Sequence, residues 1–432
     1  MKFKFVDWYC WFVVFFSLGS MFIIWFYTSF SFSSSLISPN LASGSYFIFD
    51  SVGFYLSLLS ILLMTVLVFF YSIAGARSLF YISLSIFSSL LCYCCNYVFF
   101  FWFFYEVSIL SLLFLLIVDS PYSERYLAGW YLSGYVVLTS LPMLLCLVYF
   151  SLVRGSLFIS DWYVDMSLLG DYSLDYCVFI ILGVLFVTKI PAPPFHTWLP
   201  IVHAEATSLV SVCLSGYIMK LGLLGVCRFC WLVIPDFLFG LSYVSVSFFL
   251  AILFFLAASW ELDGKRWLAL LSLSHIIICV VCFNSGTFDN ANLLFLYSLG
   301  HGLSAGAVFI LLWWGYNLSG SRNWMILKFI FGGSLFFRIL LCLGLCTVAS
   351  LPPVIQFFVE VSLLVNVGAY NLVLFIIFCV YLFFSSLIPL FFLGGLMSRH
   401  FCVVYNGFTG CLSFGICLLF LFSWCFVIFL IV

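Results

Sequence analysis

Six ionisable side chains stand inside long apolar runs of this chain: Glu106, Lys189, Lys220, His275, His301 and Glu360. A charge at the centre of a hydrocarbon layer costs roughly 2.5 to 3.5 kcal/mol or more when unpaired, so each needs a reason to be there. Burial disfavours the charged form of Lys and Glu alike, and a neighbouring opposite charge restores it, so such groups exchange protons when their pairing changes. The chemistry this set supports is a proton relay. Sodium coordination asks for several carboxylates and carbonyls in one cage, which isolated Glu106 and Glu360 do not offer. Plainer readings stand beside the relay. Lys189, Arg338 and Glu106 could snorkel from helix ends, and His275 and His301, taken singly, could be hydrogen-bonded packing residues. Lys220, deep in SLVSVCLSGYIMKLGLLGVCRF, suits snorkelling least.

Asp50, Glu124, Glu205, Glu261 and Asp263 fall at or near predicted helix ends and read as solvated surface, with Glu205 the exception. It lies in HTWLPIVHAEAT with His196 and His203, a polar cluster that could guard proton access, cap the start of a helix or hold a metal. The seven-residue gap between the two histidines is not zinc spacing. Two C-x-x-C spacings, Cys227 with Cys230 and Cys279 with Cys282, and the group Cys92, Cys94 and Cys95 sit mostly in apolar helices without His partners. They read as small buried hydrophobes, and no metal is expected. A phosphate-cradling GxxxxGK[ST] loop, a GxGxxG turn and a haem or iron–sulfur ligand set are all missing, so no cofactor and no redox centre are expected on this chain.

The elements that must position these residues follow from composition. The chain is 66% hydrophobic and 7% charged with a mean hydropathy of +1.31, against about 25% charge in a soluble domain. Apolar stretches long enough to cross a bilayer, roughly 20 residues each, recur from residue 8 to 431. They are continuous rather than alternating, which excludes a barrel. The 14 basic and 15 acidic residues are too scattered to follow a phosphate backbone, which excludes nucleic acid as a partner. The opening MKFKFVDWYCWF has no cleavable small-residue site, so the first helix is expected to stay.

An all-α polytopic membrane protein follows, with thirteen predicted helices at 8–30, 51–74, 78–96, 97–117, 127–152, 176–200, 206–230, 239–259, 266–284, 289–314, 330–366, 370–395 and 411–431. Pro191, Pro193 and Pro194 break the sixth, and Pro352 and Pro353 the eleventh, because proline lacks the N–H and clashes with the preceding turn. The threading separates charge: Lys2, Lys4, Arg77, Arg125, Lys265, Arg266, Arg322, Lys328 and Arg399 fall on the side of the N-terminus, Arg154 and Arg228 on the other. The N-terminus is therefore expected on the positive side, matrix or cytoplasm, and the C-terminus opposite. The 57 Phe and 18 Cys suggest a T-rich organelle genome. Helices three to seven and eight to twelve form two runs of five whose fourth member is the broken one, the pattern of inverted repeats. The expected units are 1–77, 78–230, 239–395 and 396–432, the two five-helix repeats being the middle pair. The loop from 154 to 175, with Asp161, Asp165, Asp171 and Asp175, reads as a solvated outer-face segment or short hairpin. Gly300, Gly302 and Gly306 read as small residues that let helices approach.

Residues 185–228 join a Lys before a Pro-broken turn, an H-x-W-L-P step, an H-x-E-A step and a second Lys in the next helix. This stretch resembles the signature of the antiporter-like subunits of respiratory complex I and of multi-subunit cation/proton antiporters. ELDGKRWLALLSLSHI, GHGLSAGAVF and LPPVIQFFVEVSLL are similar to that family too, and the resemblance runs over roughly residues 46–395. Glu360 after the Pro-Pro break, FYE ending at Glu106 and SERYLAG resemble its subunit 4 branch, where subunits 2 and 5 typically carry Lys in place of Glu360. The resemblance implies that Glu106 and Lys189 are a coupled pair, Lys220 the central relay with His275 and His301 alongside, and Glu360 the terminal residue. It implies the mitochondrial inner membrane, with the N-terminus in the matrix and the C-terminus in the intermembrane space. It also implies partnership with other complex I subunits, especially neighbouring antiporter-like ones and the lateral helix of subunit 5, and with lipids such as cardiolipin. NADH, FMN, iron–sulfur clusters and ubiquinone would belong to other subunits. The family usually has fourteen helices, and this chain is expected to lack the first. A cation/proton antiporter subunit and a non-pumping membrane scaffold are the alternative functions.

Overall fold

The computed structural model describes residues 42–43, 45–70, 75–164, 173–230, 239–285, 288–398 and 411–431. The predicted helix 8–30, Lys2, Lys4, Asp165, Asp171 and Arg399 lie outside the described residues. The structure is a bundle of helices: α1 Ser51–Phe69, α2 Ala76–Cys94, α3 Val98–Asp119, α4 Arg125–Arg154, α5 Ile159–Val164 and α6 Ser173–Val187. They continue with α7 Trp198–Glu205, α8 Ser208–Cys230, α9 Leu241–Trp260, α10 Gly264–Ser285 and α11 Phe288–Ser319. The last are α12 Trp324–Phe331, α13 Leu335–Val348, α14 Ile355–Tyr370, α15 Leu372–Met397 and α16 Cys411–Ile431. Among the described residues nine helices are long and apolar enough to span a bilayer. Helices suit lipid because they satisfy every backbone polar group internally.

Hydrogen bonds between connections sort them to two ends. At one end Arg77 pairs with Asp119 at 2.6 Å, Ser120 Oγ donates to Glu205 O at 2.5 Å, and Lys265 Nζ to Ala206 O at 2.8 Å. Arg322 donates to Ala204 O, pairs with Asp263 and lies over the Tyr122 ring at 4.3 Å. At the other end Arg228 clasps Asp50 through two nitrogens at 2.6 and 2.9 Å, Asn96 donates to Ser45 O, and Asn284 to Phe239 O. The basic connections Arg77, Arg125, Lys265 and Arg322 thus share one end.

Five expectations change. The helix predicted at 330–366 has its expected break, between Val348 and Ile355, but starts only at Leu335, because Gly332 and Gly333 stop a separate helix, α12, and Ser334 starts α13 by accepting from Phe337 N. The sixth helix is interrupted over 188–197, as its prolines predict, but the next begins two residues late, at Ser208. The segment 154–175 is not wholly solvated: it holds α5, whose Ile159 and Trp162 are buried, and Ile159 N donates to Asn96 O. Asp50 is not solvated either. It caps α1 by accepting from Gly53 N and binds Arg228. Finally, π turns interrupt helices read as regular, at Ser133–Val137 in α4 and at Leu214–Ile218 and Val226–Cys230 in α8.

The Arg228–Asp50 clasp ties the end of α8 to the start of α1. Arg228→Ala is expected to lower the thermal midpoint of the detergent-solubilised protein, because removing one partner of a buried pair costs about 3–5 kcal/mol. Arg228→Lys should recover only part, since a point charge cannot hold both carboxylate oxygens. An unchanged midpoint for Arg228→Ala would show that water, not protein, neutralises Asp50.

Small residues set how closely the central helices approach. A Cβ on Gly302 of α11 would lie 2.7 Å from Leu59 and 3.0 Å from Gly216 O. One on Gly222 of α8 would lie 3.0 Å from Ile190 N and 3.1 Å from Phe186 O. Gly302 and Gly306 therefore pack α11 against α1 and α8, Gly300 packs its other side against α14, and Gly222 seats the broken helix against the helix of Lys220.

Candidate functional site

Prolines create the first half of the site by ending α6 early. The carbonyls they strand are taken up by side chains: Trp198 Nε1 donates to Thr188 O at 3.1 Å and Tyr243 OH to Pro193 O at 2.6 Å. Lys189, in the unwound turn, is thereby free to point across to α3, where its Nζ meets Glu106 Oε1 at 3.2 Å. The two side chains are 2% and 8% exposed, so the snorkelling reading fails for both. The ammonium also lies 4.3 Å from the centroid of the Tyr105 ring and 3.9 Å from Met143 Sδ. These soft neighbours hold the cation on its face away from the carboxylate. Neither was singled out from sequence, although Tyr105 adjoins Glu106. Arg338 is different. It stands in the first turn of α13, half-buried, where an interfacial position suits it.

Lys220 is fully buried in the α-helical stretch between the two π turns of α8, and its Nζ donates to Ser215 O, a carbonyl of the first π turn. A π turn leaves backbone acceptors available, and such turns gather at functional positions. Ser208, Ser211 and Ser215 follow one another along α8 toward Lys220. A cavity of about 680 Å³ lined by Arg77, Asp119, Tyr122, Ser208 and Tyr316 opens at the head of this helix. Glu106, Lys220, His275 and His301 stand roughly 12–20 Å along their helices at about 1.5 Å per residue, well inside the layer.

The second break forms the other half. Ser350 turns the chain with φ +48°, a left-handed conformation that costs a residue with a Cβ of order 1–3 kcal/mol. Its hydroxyl thereby reaches Glu360 Oε2 at 2.9 Å. Tyr297 OH contacts both Glu360 Oε1 and His275 Nδ1, each at 3.4 Å, and Tyr381 OH lies 3.3 Å from the same Nδ1. The rings of His275 and His301 are 5.8 Å apart; among the described residues neither Nε2 has a well-formed hydrogen bond, and the Val348 backbone lies beside the His275 ring. Gln356, with its amide oriented to donate to Thr347 O at 3.0 Å, accepts from His301 N at 3.1 Å and so joins the break to α11. Tyr297 was legible as the residue one turn before His301, but Tyr381 and Ser350 carry no signal in the sequence.

The cluster expected from HTWLPIVHAEAT is not brought together. His203 is buried and stacks on Phe309 at 5.0 Å, His196 lies against Phe254 at 4.8 Å, and Glu205 ends α7 rather than starting a helix. Among the described residues no hydrogen bond or ion pair joins the three. His203 stands on α7, the short helix between the first break and the helix of Lys220. Lys265 is buried.

The profile of the family "NADH:quinone oxidoreductase/Mrp antiporter, TM" matches residues 95–389. A relative from Aedes aegypti named NADH-ubiquinone oxidoreductase chain 4 is 29% identical over 309 residues, covering 70% of this chain and 66% of the relative. One of the same name from Branchiostoma floridae is 30% identical over 288 residues, 62% of this chain and 58% of that one. This chain thus covers about two thirds or less of those relatives' length. In fold it is similar to a chain of respiratory complex I from Thermus thermophilus, with TM-score 0.74, 19% identity, and 89% and 86% of the two chains covered. It is also similar to a chain of the Mrp complex from Dietzia sp., with TM-score 0.76, 16% identity, and 97% and 89% covered. The match spans both helix breaks and all six buried ionisable residues, and the chain belongs to the NADH:quinone oxidoreductase/Mrp antiporter membrane-subunit family.

Proposed function

We propose that this chain is a proton-translocating membrane-arm subunit of NADH:ubiquinone oxidoreductase, of the subunit 4 type, in the mitochondrial inner membrane. The observation that carries the reading is the buried Glu106–Lys189 pair at a helix break, in line with a second buried carboxylate, Glu360, at the other break. The relatives named chain 4 support the assignment to that enzyme.

In this reading electron transfer in other subunits, which carry NADH, FMN, iron–sulfur clusters and ubiquinone, alters the pairing of Glu106 with Lys189. A Lys189 that has lost its counter-charge repels a proton from Lys220 through His301 and His275 to Glu360, since like charges in a low dielectric disfavour each other. Protons reach Lys220 from the cavity at the head of α8, past Ser208, Ser211 and Ser215, with His203 biasing the route and Glu205, whose carbonyl Ser120 binds, near its mouth, while His196, against Phe254 of α9, stands apart from it. The thirteen-span threading, the two inverted five-helix units at 78–230 and 239–395, and the basic end facing the matrix complete the proposal. Its partners are neighbouring antiporter-like subunits, the lateral helix of subunit 5 and lipids such as cardiolipin.

Lys220→Ala tests it in an assembled complex reconstituted in vesicles. Protons translocated per electron are expected to fall, while NADH oxidation with an uncoupler persists. An undiminished ratio would sink the relay. The Mrp likeness favours a second reading, a cation/proton antiporter subunit. A purified complex that exchanges Na⁺ for H⁺ and lacks NADH-linked electron transfer would select it.

A further inference from the structure

We infer that Tyr297 is a proton-transfer residue, its hydroxyl carrying each proton from His275 to Glu360, whereas Tyr381, on the same ring nitrogen, makes no hydrogen bond of its own to the carboxylate. The inference rests on the relay proposed above. It adds a residue that neither charge nor burial would single out, because a phenol is neutral before and after the step.

Tyr297 is fully buried on α11 and its OH lies 3.4 Å from His275 Nδ1 and 3.4 Å from Glu360 Oε1. Both contacts are longer than an ideal O–H bond and need to close by about half an ångström, as catalytic contacts do when a site is loaded. A hydroxyl both donates and accepts, so this one bridges a group that can lose a proton and a group that can take one. Tyr381 OH lies equally near Nδ1, at 3.3 Å, but its other hydrogen-bonding neighbours are Ser274 O, a backbone carbonyl that cannot keep a proton, and the Tyr297 hydroxyl, so it reaches Glu360 only through Tyr297. Ser350 holds the far carboxylate oxygen at 2.9 Å, which turns Oε1 toward Tyr297.

The step balances without any further reactant. With His275 doubly protonated and Glu360 ionised, Nδ1–H breaks as a new O–H forms on Tyr297, and the old Tyr297 O–H breaks as O–H forms on Oε1. Imidazolium and carboxylate become imidazole and carboxylic acid, and the phenol is unchanged in composition. The proton enters the ring at Nε2, which makes no well-formed hydrogen bond among the described residues and belongs to the ring adjoining His301. His275 is left protonated on Nε2 and must return to the Nδ1–H tautomer before it passes the next proton.

The test uses the intact complex in vesicles and compares Tyr297→Phe, Tyr381→Phe and Glu360→Gln, with assembly read on native gels. Coupled turnover is expected to fall about 10²-fold or more in Tyr297→Phe and Glu360→Gln, the range a positioned acid–base group supplies, and to fall about tenfold less in Tyr381→Phe. Normal coupling in Tyr297→Phe beside slowed Glu360→Gln overturns the bridge and leaves the relay standing. Normal coupling in both overturns the relay itself. Equal slowing by both tyrosine variants also overturns the bridge, because the hydroxyls would then matter as packing. Should Tyr297→Phe not assemble, infrared difference spectra of the unaltered complex decide. A tyrosine C–O band is expected to move together with the carboxyl band that Glu360→Gln abolishes, and a carboxyl change without it overturns the bridge.

Discussion

Glu106→Ala, with Lys189 kept, is expected to destabilise the assembled complex by about 3–5 kcal/mol, the cost of leaving a buried charge without its partner. The Lys189 ammonium is 2% exposed, so water cannot replace the carboxylate where it stands. The Tyr105 ring and Met143 Sδ would soften the loss by about 0.5–2 kcal/mol, too little to offset it. Less complex on a native gel and a lower thermal midpoint are the readouts. The double variant Glu106→Leu with Lys189→Met should recover assembly, because replacing a buried pair by apolar groups of similar volume is often neutral. Proton flux per electron should remain low in that double variant. If flux recovers along with assembly, the pair serves packing alone and the scaffold reading is right.

The second large effect is steric. Gly222→Val should both reduce assembly and uncouple what assembles, because the new side chain meets backbone, at Ile190 N and Phe186 O, which cannot rotate away. Overpacking of this kind costs typically about 1–3 kcal/mol. The displaced segment is the unwound turn that presents Lys189 to Glu106, so the pair is disturbed with it. Gly394→Ala in α15 is the control: nothing lies within 4 Å of its added Cβ, and alanine is the better helix former by about 1 kcal/mol. Equal loss in the two variants would mean that glycine matters for the helix backbone, not for the approach between helices.

Much of the molecule was legible because bilayer chemistry leaves few choices. A stretch such as 411–431 with no charge can only be a helix in hydrocarbon, and Cys411–Ile431 is one. Glu106, Lys189, Lys220 and Glu360 stood out because charge in an apolar run is costly, and all four are buried. Legibility failed where local polarity was taken for surface. Asp50 lies at a helix end, yet it is buried under Arg228. The histidine and Glu205 run failed because His196 lies in the interrupted segment before α7, while His203 and Glu205, two residues apart on α7, point about 200° away from each other.

Sequence alone determined that this chain spans a membrane, where prolines break its helices and which charges stand inside, since each follows from local composition and the missing proline N–H. Only the tertiary structure decided which of those charges meet. Glu106 and Lys189 come from helices more than eighty residues apart, and the hydroxyl between His275 and Glu360 is supplied by a third helix. The reason is geometric: a side chain's depth follows from its place along one helix, but its partner depends on how neighbouring helices are rotated and how closely glycines such as Gly222 and Gly302 let them pack.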